Sequence, residues 1–380
     1  MTTKTIKGNS PESIAAELKR CTGDDFTPTL AFVFLSIKQN RDAVCRLLDE
    51  QGVAIFGATT AGEFIDGEVE EGSIVMMLLN LDPSFFKIHF AEIGEGDLRQ
   101  IAQAIGATGK NSFDNPAFLI SYSGLFNDGE LIVRGIVDVV GENATIFGGM
   151  AGDELTMQGP GVFTNKQHSN NGEIAVIIDG NRVTLKGHAT SGWRPVGTVR
   201  TITKSEGSVV YTIDDEPALD VVMKYLGATY ETPNEMNDAV VKMGSYFPIL
   251  LLREGADPVV RTSMFANVAE RCLKFSGNVP QGSKIRFSLP PDFEVIDQVI
   301  TKSDELRKSQ LPQADALILF SCIARHVTLG PMVSEEIEGV KKVWNSPLIG
   351  FFSYGEIGKS ANGKHEFHNN TCCLVAMKEQ

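Results

Sequence analysis

Histidine, tryptophan and tyrosine are scarce in this chain of 380 residues, with six His, two Trp and six Tyr. Cysteine is sparse too. Cys21, Cys45, Cys272 and Cys322 are scattered and only Cys372 and Cys373 adjoin. No CxxC pair occurs, and no Cys/His group has zinc-ligand spacing, which argues against a structural metal centre. Adjacent residues on a strand face opposite ways, so Cys372 and Cys373 are not expected to share a partner. Cations are outnumbered: 34 Lys+Arg against 48 Asp+Glu leave a formal net charge of −14. That balance disfavours a nucleic-acid partner, whose phosphates call for clustered Lys and Arg. Long apolar runs are missing. IVMMLL at 74–79 falls far short of a membrane span, and MTTKTIKGNSPESIAAELKR lacks the apolar core of a secretory signal. Neither a GxxxxGK[ST] phosphate loop nor a GxSxG nucleophile elbow appears. The expectation is a soluble, cytoplasmic protein with reduced thiols, no cofactor and no metal.

What the sequence does carry is repetition. IFGATTAGEF (55–64), IFGGMAGDEL (146–155) and IGFFSYGEIG (349–358) each run from apolar residues through glycine to a Gly-acid pair, ending on Glu63, Asp153 and Glu356. The middle copy is one residue shorter. Upstream of each lies an apolar strand, AFVFLS (31–36), AFLISYS (117–123) or ALILFSC (316–322), and then a helix-like stretch. Those stretches are NRDAVCRLLDEQG (40–52) with an Asn cap, GELIVRGIVDVVG (129–141) closing on glycine, and SEEIEGVKKVW (334–344) opening on serine. A further strand follows each motif at 73–81, 173–179 and 371–377. A leading strand and helix extend the unit backwards: KTIKGNSPESIAAELKR with Ser10 as N-cap and Pro11 at the first helical position, 85–106, and 284–303.

The spacing therefore predicts units at about 1–82, 85–180 and 284–378, each strand–helix–strand–helix–strand–strand. The stretch 182–283 holds a hairpin at 199–214 turning at Glu206-Gly207, a helix ending at Gly227 and a strand at 247–254. Read as a degenerate fourth unit, it would make a 2 + 2 pseudo-symmetric assembly. The fold class expected is α/β to mixed α+β. Two regions are expected, 1–195 and 196–380, with the boundary between 180 and 220.

The motifs GATTAGEF (57–64), FGGMAGDE (147–154), GWRPVG (192–197), the run 201–227, LFSCIAR (319–325), GFFSYGEIG (350–358) and FHNNT (367–371) together resemble the FIST family, over nearly the whole chain. Ala324 departs from the glycine of that family's pattern. The resemblance implies N-terminal and C-terminal FIST regions and an intracellular signal-transduction role. It also implies a small ligand, such as an amino acid, and a separate signalling protein as partner, since this chain has no room for a fused output module.

Candidate binding residues concentrate in the C-terminal half. Cys322 and Arg325 end a strand, where ligand loops gather in α/β sheets. Arg325 is expected to lower the Cys322 pKa, or to clamp a ligand carboxylate. Glu356 offers an acid to an ammonium, and His368 and Asn369 offer neutral hydrogen-bonding groups. If the strands are neighbours these five residues share one rim, the set a zwitterion requires. The alternative for each is structural: a packed thiol, an arginine paired to Glu356 or a helix end, an acid that ties repeats together. Trp193, with Arg194 and Pro195, is either an interface patch or a plug between halves. The function expected is non-enzymatic sensing of a small polar metabolite, without nucleic-acid binding or membrane insertion. The alternatives are an enzyme using Cys322 with His368 and Glu356, or an interaction scaffold.

Overall fold

The computed structural model of the chain describes residues 1–23, 25–125, 127–227, 232–360 and 364–380. Among them the strands form four sheets and the class is mixed α/β. Three sheets have one strand order. The first runs Thr2–Gly8, Ile74–Asn80, Leu30–Leu35, Ala54–Thr59; the second Phe86–Glu92, Gly172–Asp179, Pro116–Tyr122, Thr145–Met150; the third Val183–Thr190, Cys372–Glu379, Ala316–Cys322, Leu348–Ser353. In each the last two strands are parallel and the other ladders antiparallel.

Each sheet is completed by a hairpin from another unit. The first takes Val162–Phe163 with His168–Ser169, the second Glu356–Lys359 with His365–His368, and the third Glu63–Ile65 with Glu68–Glu70. These hairpins are the chain that follows each Gly-acid motif, and the sequence reading did not foresee them.

Burial on both faces explains the unbroken apolar strands. In Leu30–Leu35, Leu30, Phe32 and Phe34 enter a core shared by all three sheets, while Ala31, Val33 and Leu35 meet the helices Pro11–Cys21 and Arg41–Asp49 outside. Phe34 meets Phe351 at 4.7 Å and Phe320 at 6.4 Å in the shared core. Outside the second sheet, helices Leu98–Ser112 and Gly129–Val140 pack so closely that a Cβ on Gly135 would lie 2.4 Å from the Arg99 carbonyl. Cys372 and Cys373 do enter different clusters, outer and inner. The helix expected from Ser334 runs Val333–Trp344, so the serine lies inside it.

Two expectations are corrected. Lys284–Leu289 does not open the third unit: it pairs with Arg194–Glu206 and Ile249–Arg253, and the edge strand is Val183–Thr190 against Cys372–Glu379. Both segments alternate apolar and polar residues, so periodicity could not choose between them. Nor is 182–283 a fourth copy, and the 2 + 2 arrangement falls with it. From Arg194 to Leu289 the ladders are all antiparallel, around a separate core that includes Ile202, Leu219, Leu273 and Phe287. That sheet is an insertion between the third unit's first strand and its helix Glu294–Ser309.

Candidate functional site

The parallel strand pairs all end toward one hub, where the three Gly-acid loops hydrogen-bond one another. Ala61 N donates to Phe352 O (3.0 Å) and Phe352 N to Gly62 O (2.8 Å); Gly152 N donates to Thr59 O (2.9 Å); Met150 N donates to Gly355 O (2.8 Å). Glu63, Asp153 and Glu356 are fully buried there. Glu63 accepts from Thr60 and from the amide and hydroxyl of Ser73 at 3.0 and 2.9 Å. Glu356 accepts from Ser353 (2.6 Å) and from the hydroxyl and amide of Thr371 (2.7 and 3.3 Å). Burial still outweighs these donors, pushing Glu63 up to about 7 and Glu356 up to about 8. Asp153 instead gathers the amides of Met157, Gln158 and Gly159 and the hydroxyl of Tyr354. Glu63 and Glu356 each brace a loop of their own unit, and Asp153, through Tyr354, also ties its loop to the third one.

The five candidate residues lie close together but are committed to the protein. Cys322 precedes helix Ile323–Leu329, is 4 % exposed and hydrogen-bonds Glu356. Burial, then the Glu356 charge, pushes its thiol well above the ordinary range. That corrects the expectation of a lowered pKa, and it is the environment of an inert structural thiol. Arg325 does not face Glu356. It is fully buried against Glu336, with Nε to Oε1 at 3.3 Å and Nη2 also engaged, while Nη1 donates to Ser191 O at 2.6 Å. Its guanidinium lies 6.0 Å from the Trp193 ring centroid, and Trp193 donates to Tyr246 O at 3.0 Å, so Trp193 bridges the third unit and the insertion. His368 sits opposite Glu356 on the exchanged hairpin, its Nε2 3.2 Å from Gly358 O. Burial, then Arg261, holds it down at about 3 and therefore neutral. Asn369 accepts from Ser276 of the insertion at 2.6 Å.

A cavity opens beside these residues, in the seam between the second unit and the insertion. One wall carries Asn127, Asp128, Met150 and Met157, the other Met264, Phe265, Lys274 and Ser276, with Tyr354 of the third loop at the edge. Its free volume is about 50 Å³, a few waters' worth. Three methionines, Met150, Met157 and Met264, stand in the lining, and these unbranched side chains re-pack readily. Asp128 caps helix Gly129–Val140, taking the Glu130 amide at 3.0 Å and also the Asn278 amide. Burial raises its pKa and, as a first cause, lowers that of Lys274. Below the cavity Arg261, 1 % exposed, donates to Asn278 O (3.2 Å) and Phe367 O (3.0 Å). A Cβ on Gly277 would come 3.0 Å from its Nε, so a side chain at that lining position would have to push the Arg261 guanidinium aside. Sequence reasoning missed Asp128, Lys274, Ser276 and Arg261. The one available signal was Asp128 as the helix cap before GELIV.

Comparison with known proteins finds family matches along most of the chain. A FIST N domain matches residues 29–216 and a FIST C domain residues 218–359, so the two meet within the inserted sheet. An uncharacterized protein of Methanocaldococcus jannaschii is 25% identical over 271 residues, 62% of this chain and 49% of the relative. The chain thus spans about half the length of the curated relative it matches. Among the described residues no helix is long and apolar enough to cross a membrane. With both FIST regions matched in order across most of its length, the chain belongs to the FIST family of signal-transduction domains.

Proposed function

We propose that this protein senses a small polar metabolite bearing an ammonium group, an amino acid or close relative, in the seam cavity. The observation that carries the reading is the convergence there of Asp128 from one module and Lys274 and Ser276 from the other, on a Met- and Phe-rich wall. Asp128 offers its remaining acceptor sites to the ammonium, and Lys274 faces a carboxylate, while the Ser276 hydroxyl, already donated to Asn369, ties that wall to the third unit. The cavity as it stands holds only a few waters, so a ligand enters as Met150, Met157 and Met264 re-pack. Spanning the two walls, it then binds both modules at once, binding energy goes into fixing the seam, and a separate signalling protein reads that change. The raised pKa and burial of Cys322 favour this reading over nucleophilic catalysis.

A thermal-shift screen of amino acids and related metabolites tests it. A ligand at a hundredfold excess over its Kd adds about 2.7 kcal/mol of stability, and Asp128→Asn, which keeps the helix cap, should remove most of the shift. If no compound moves the melt, or if an active compound works equally on Asp128→Asn, the seam is not a sensing site.

A further inference from the structure

The hub carries a second, larger opening on the far side of the 153–159 loop. This cleft of about 580 Å³ falls within the range of about 300–1,000 Å³ of small-molecule sites. It shares no lining residue with the seam cavity. It lies where the parallel strands of the first and third units end, the place where open α/β sheets hold ligands.

The lining has two characters. Leu155, Ile323 and Val327 form an apolar side, with Leu155 51 % and Val327 40 % exposed. Opposite them stand Glu154, Glu71 and Lys38. Glu154 pairs with Lys38 and accepts from Ser36. Glu71 has no ion pair among the described residues, and Lys38 is 70 % exposed. Among the described lining residues the cleft is therefore an acidic mouth with one exposed lysine, Lys38, paired to Glu154. Exposed lysine pairs are weak, so an incoming ammonium can displace Lys38 from Glu154 at little cost. His326 adds a flat surface, its ring stacked on Phe352 at 4.3 Å.

The backbone is bent to make this wall. Glu154 and Leu155 are consecutive non-glycine residues with left-handed φ of 55° and 61°, a conformation that persists only where surroundings enforce it. Here Tyr354 enforces it, its hydroxyl accepting the Leu155 amide at 2.8 Å, while the Asp153 carboxylate ties down the residues that follow. The outcome is an acid and an exposed leucine side by side on the cleft.

We propose that this cleft is a second binding site, for an organic cation: an aliphatic primary amine whose ammonium sits between Glu154 and Glu71 and whose chain lies along Leu155, Ile323 and Val327. The test is calorimetric titration of the whole protein with pentylamine at low salt, with methylamine (charge without the stem) and pentanoate (stem with the opposite charge) as controls. Saturable binding of pentylamine alone is expected. Glu154→Gln should weaken it roughly tenfold, the loss of one charge-assisted hydrogen bond. Glu71→Gln should weaken it by a smaller factor, and Lys38→Ala should tighten it by removing the competitor. Should Glu154→Gln fail to fold, the two exposed positions decide alone. An absence of saturable heat overturns the proposal. So does pentanoate or methylamine binding as well as pentylamine, wild-type affinity in Glu71→Gln, or weaker binding in Lys38→Ala. Because the seam variant Asp128→Asn leaves this cleft intact, failure of the seam reading and failure of this one are separable.

Discussion

Glu173→Gln should remove one separable part of the pH dependence of this protein's stability. Glu173 lies on Gly172–Asp179 of the second sheet, between Tyr122 and Ala91 on the neighbouring strands. Ala175 and Ile177, two and four residues on, belong to the cluster under helices Leu98–Ser112 and Gly129–Val140, so the carboxyl points into an apolar layer. It is fully buried, and neither oxygen has a partner among the described residues. Burial alone pushes its pKa from 4.5 up to about 8. Because the folded value is raised, the group costs nothing below the unfolded value, and the cost grows as pH climbs from 4.5 toward 8. At about 1.36 kcal/mol per unit, that cost rises by roughly 3 kcal/mol between about pH 5 and about pH 8. Glutamine keeps the shape and the buried polar group but cannot ionise. Chemical denaturation of both proteins across this range isolates the effect as a difference. The wild type should lose roughly 3 kcal/mol relative to the variant as pH rises. Glu63 and Glu356, raised in the same sense, contribute equally to both curves. Two parallel stability curves would refute the reasoning, since Glu173 would then be solvated or partnered.

Arg325→Ala should destabilise the fold by about 3–5 kcal/mol, because it strands Glu336 in the core; denaturation with stability near wild type would contradict the ion-pair reading. Arg325→Ala/Glu336→Leu should recover a good part of that loss, since an apolar replacement leaves no unpaired charge. In alkylation followed by mass mapping, half-buried Cys21 should be modified in the native protein, and Cys322, Cys372 and Cys373 only after unfolding. Rapid native labelling of Cys322 would reopen the nucleophile reading. Asp128→Asn should cost a seam-bound amino acid roughly 1.5–3 kcal/mol of affinity, the worth of a hydrogen bond to a charged group, read as a lost thermal shift at an unchanged unliganded melting point.

Local patterning made the elements of the three units legible, and their partners not. Ser10 with Pro11, Asn40 and Gly141 end helices where the sequence places them, because capping is chemistry between residues a few positions apart. The apolar runs at 30–35, 116–122 and 316–322 are strands because both their faces meet packed layers. Pairing is a long-range matter. The sequence 284–289 has a strand's pattern wherever it pairs, and only the ladder with 194–206 assigns it to the insertion. The exchanged hairpins were hidden for a related reason. Their strands are two to four residues long, too short for a period to register, and each is stabilised by a sheet from elsewhere in the chain. The candidate site divides along the same line. Glu356 and Cys322 stand out because their motifs recur, yet recurrence marks what all three units need, which is acids and small residues to lock loops at a hub. The groups proposed to hold a ligand in the seam belong to that seam alone. Asp128 lies more than a hundred residues before Lys274 and Ser276 in sequence, and they meet only because a sheet inserted after Thr190 folds back on the second unit. Repetition in this chain therefore points to its scaffold, and the seam site we propose lies where the repeat is interrupted by the inserted sheet.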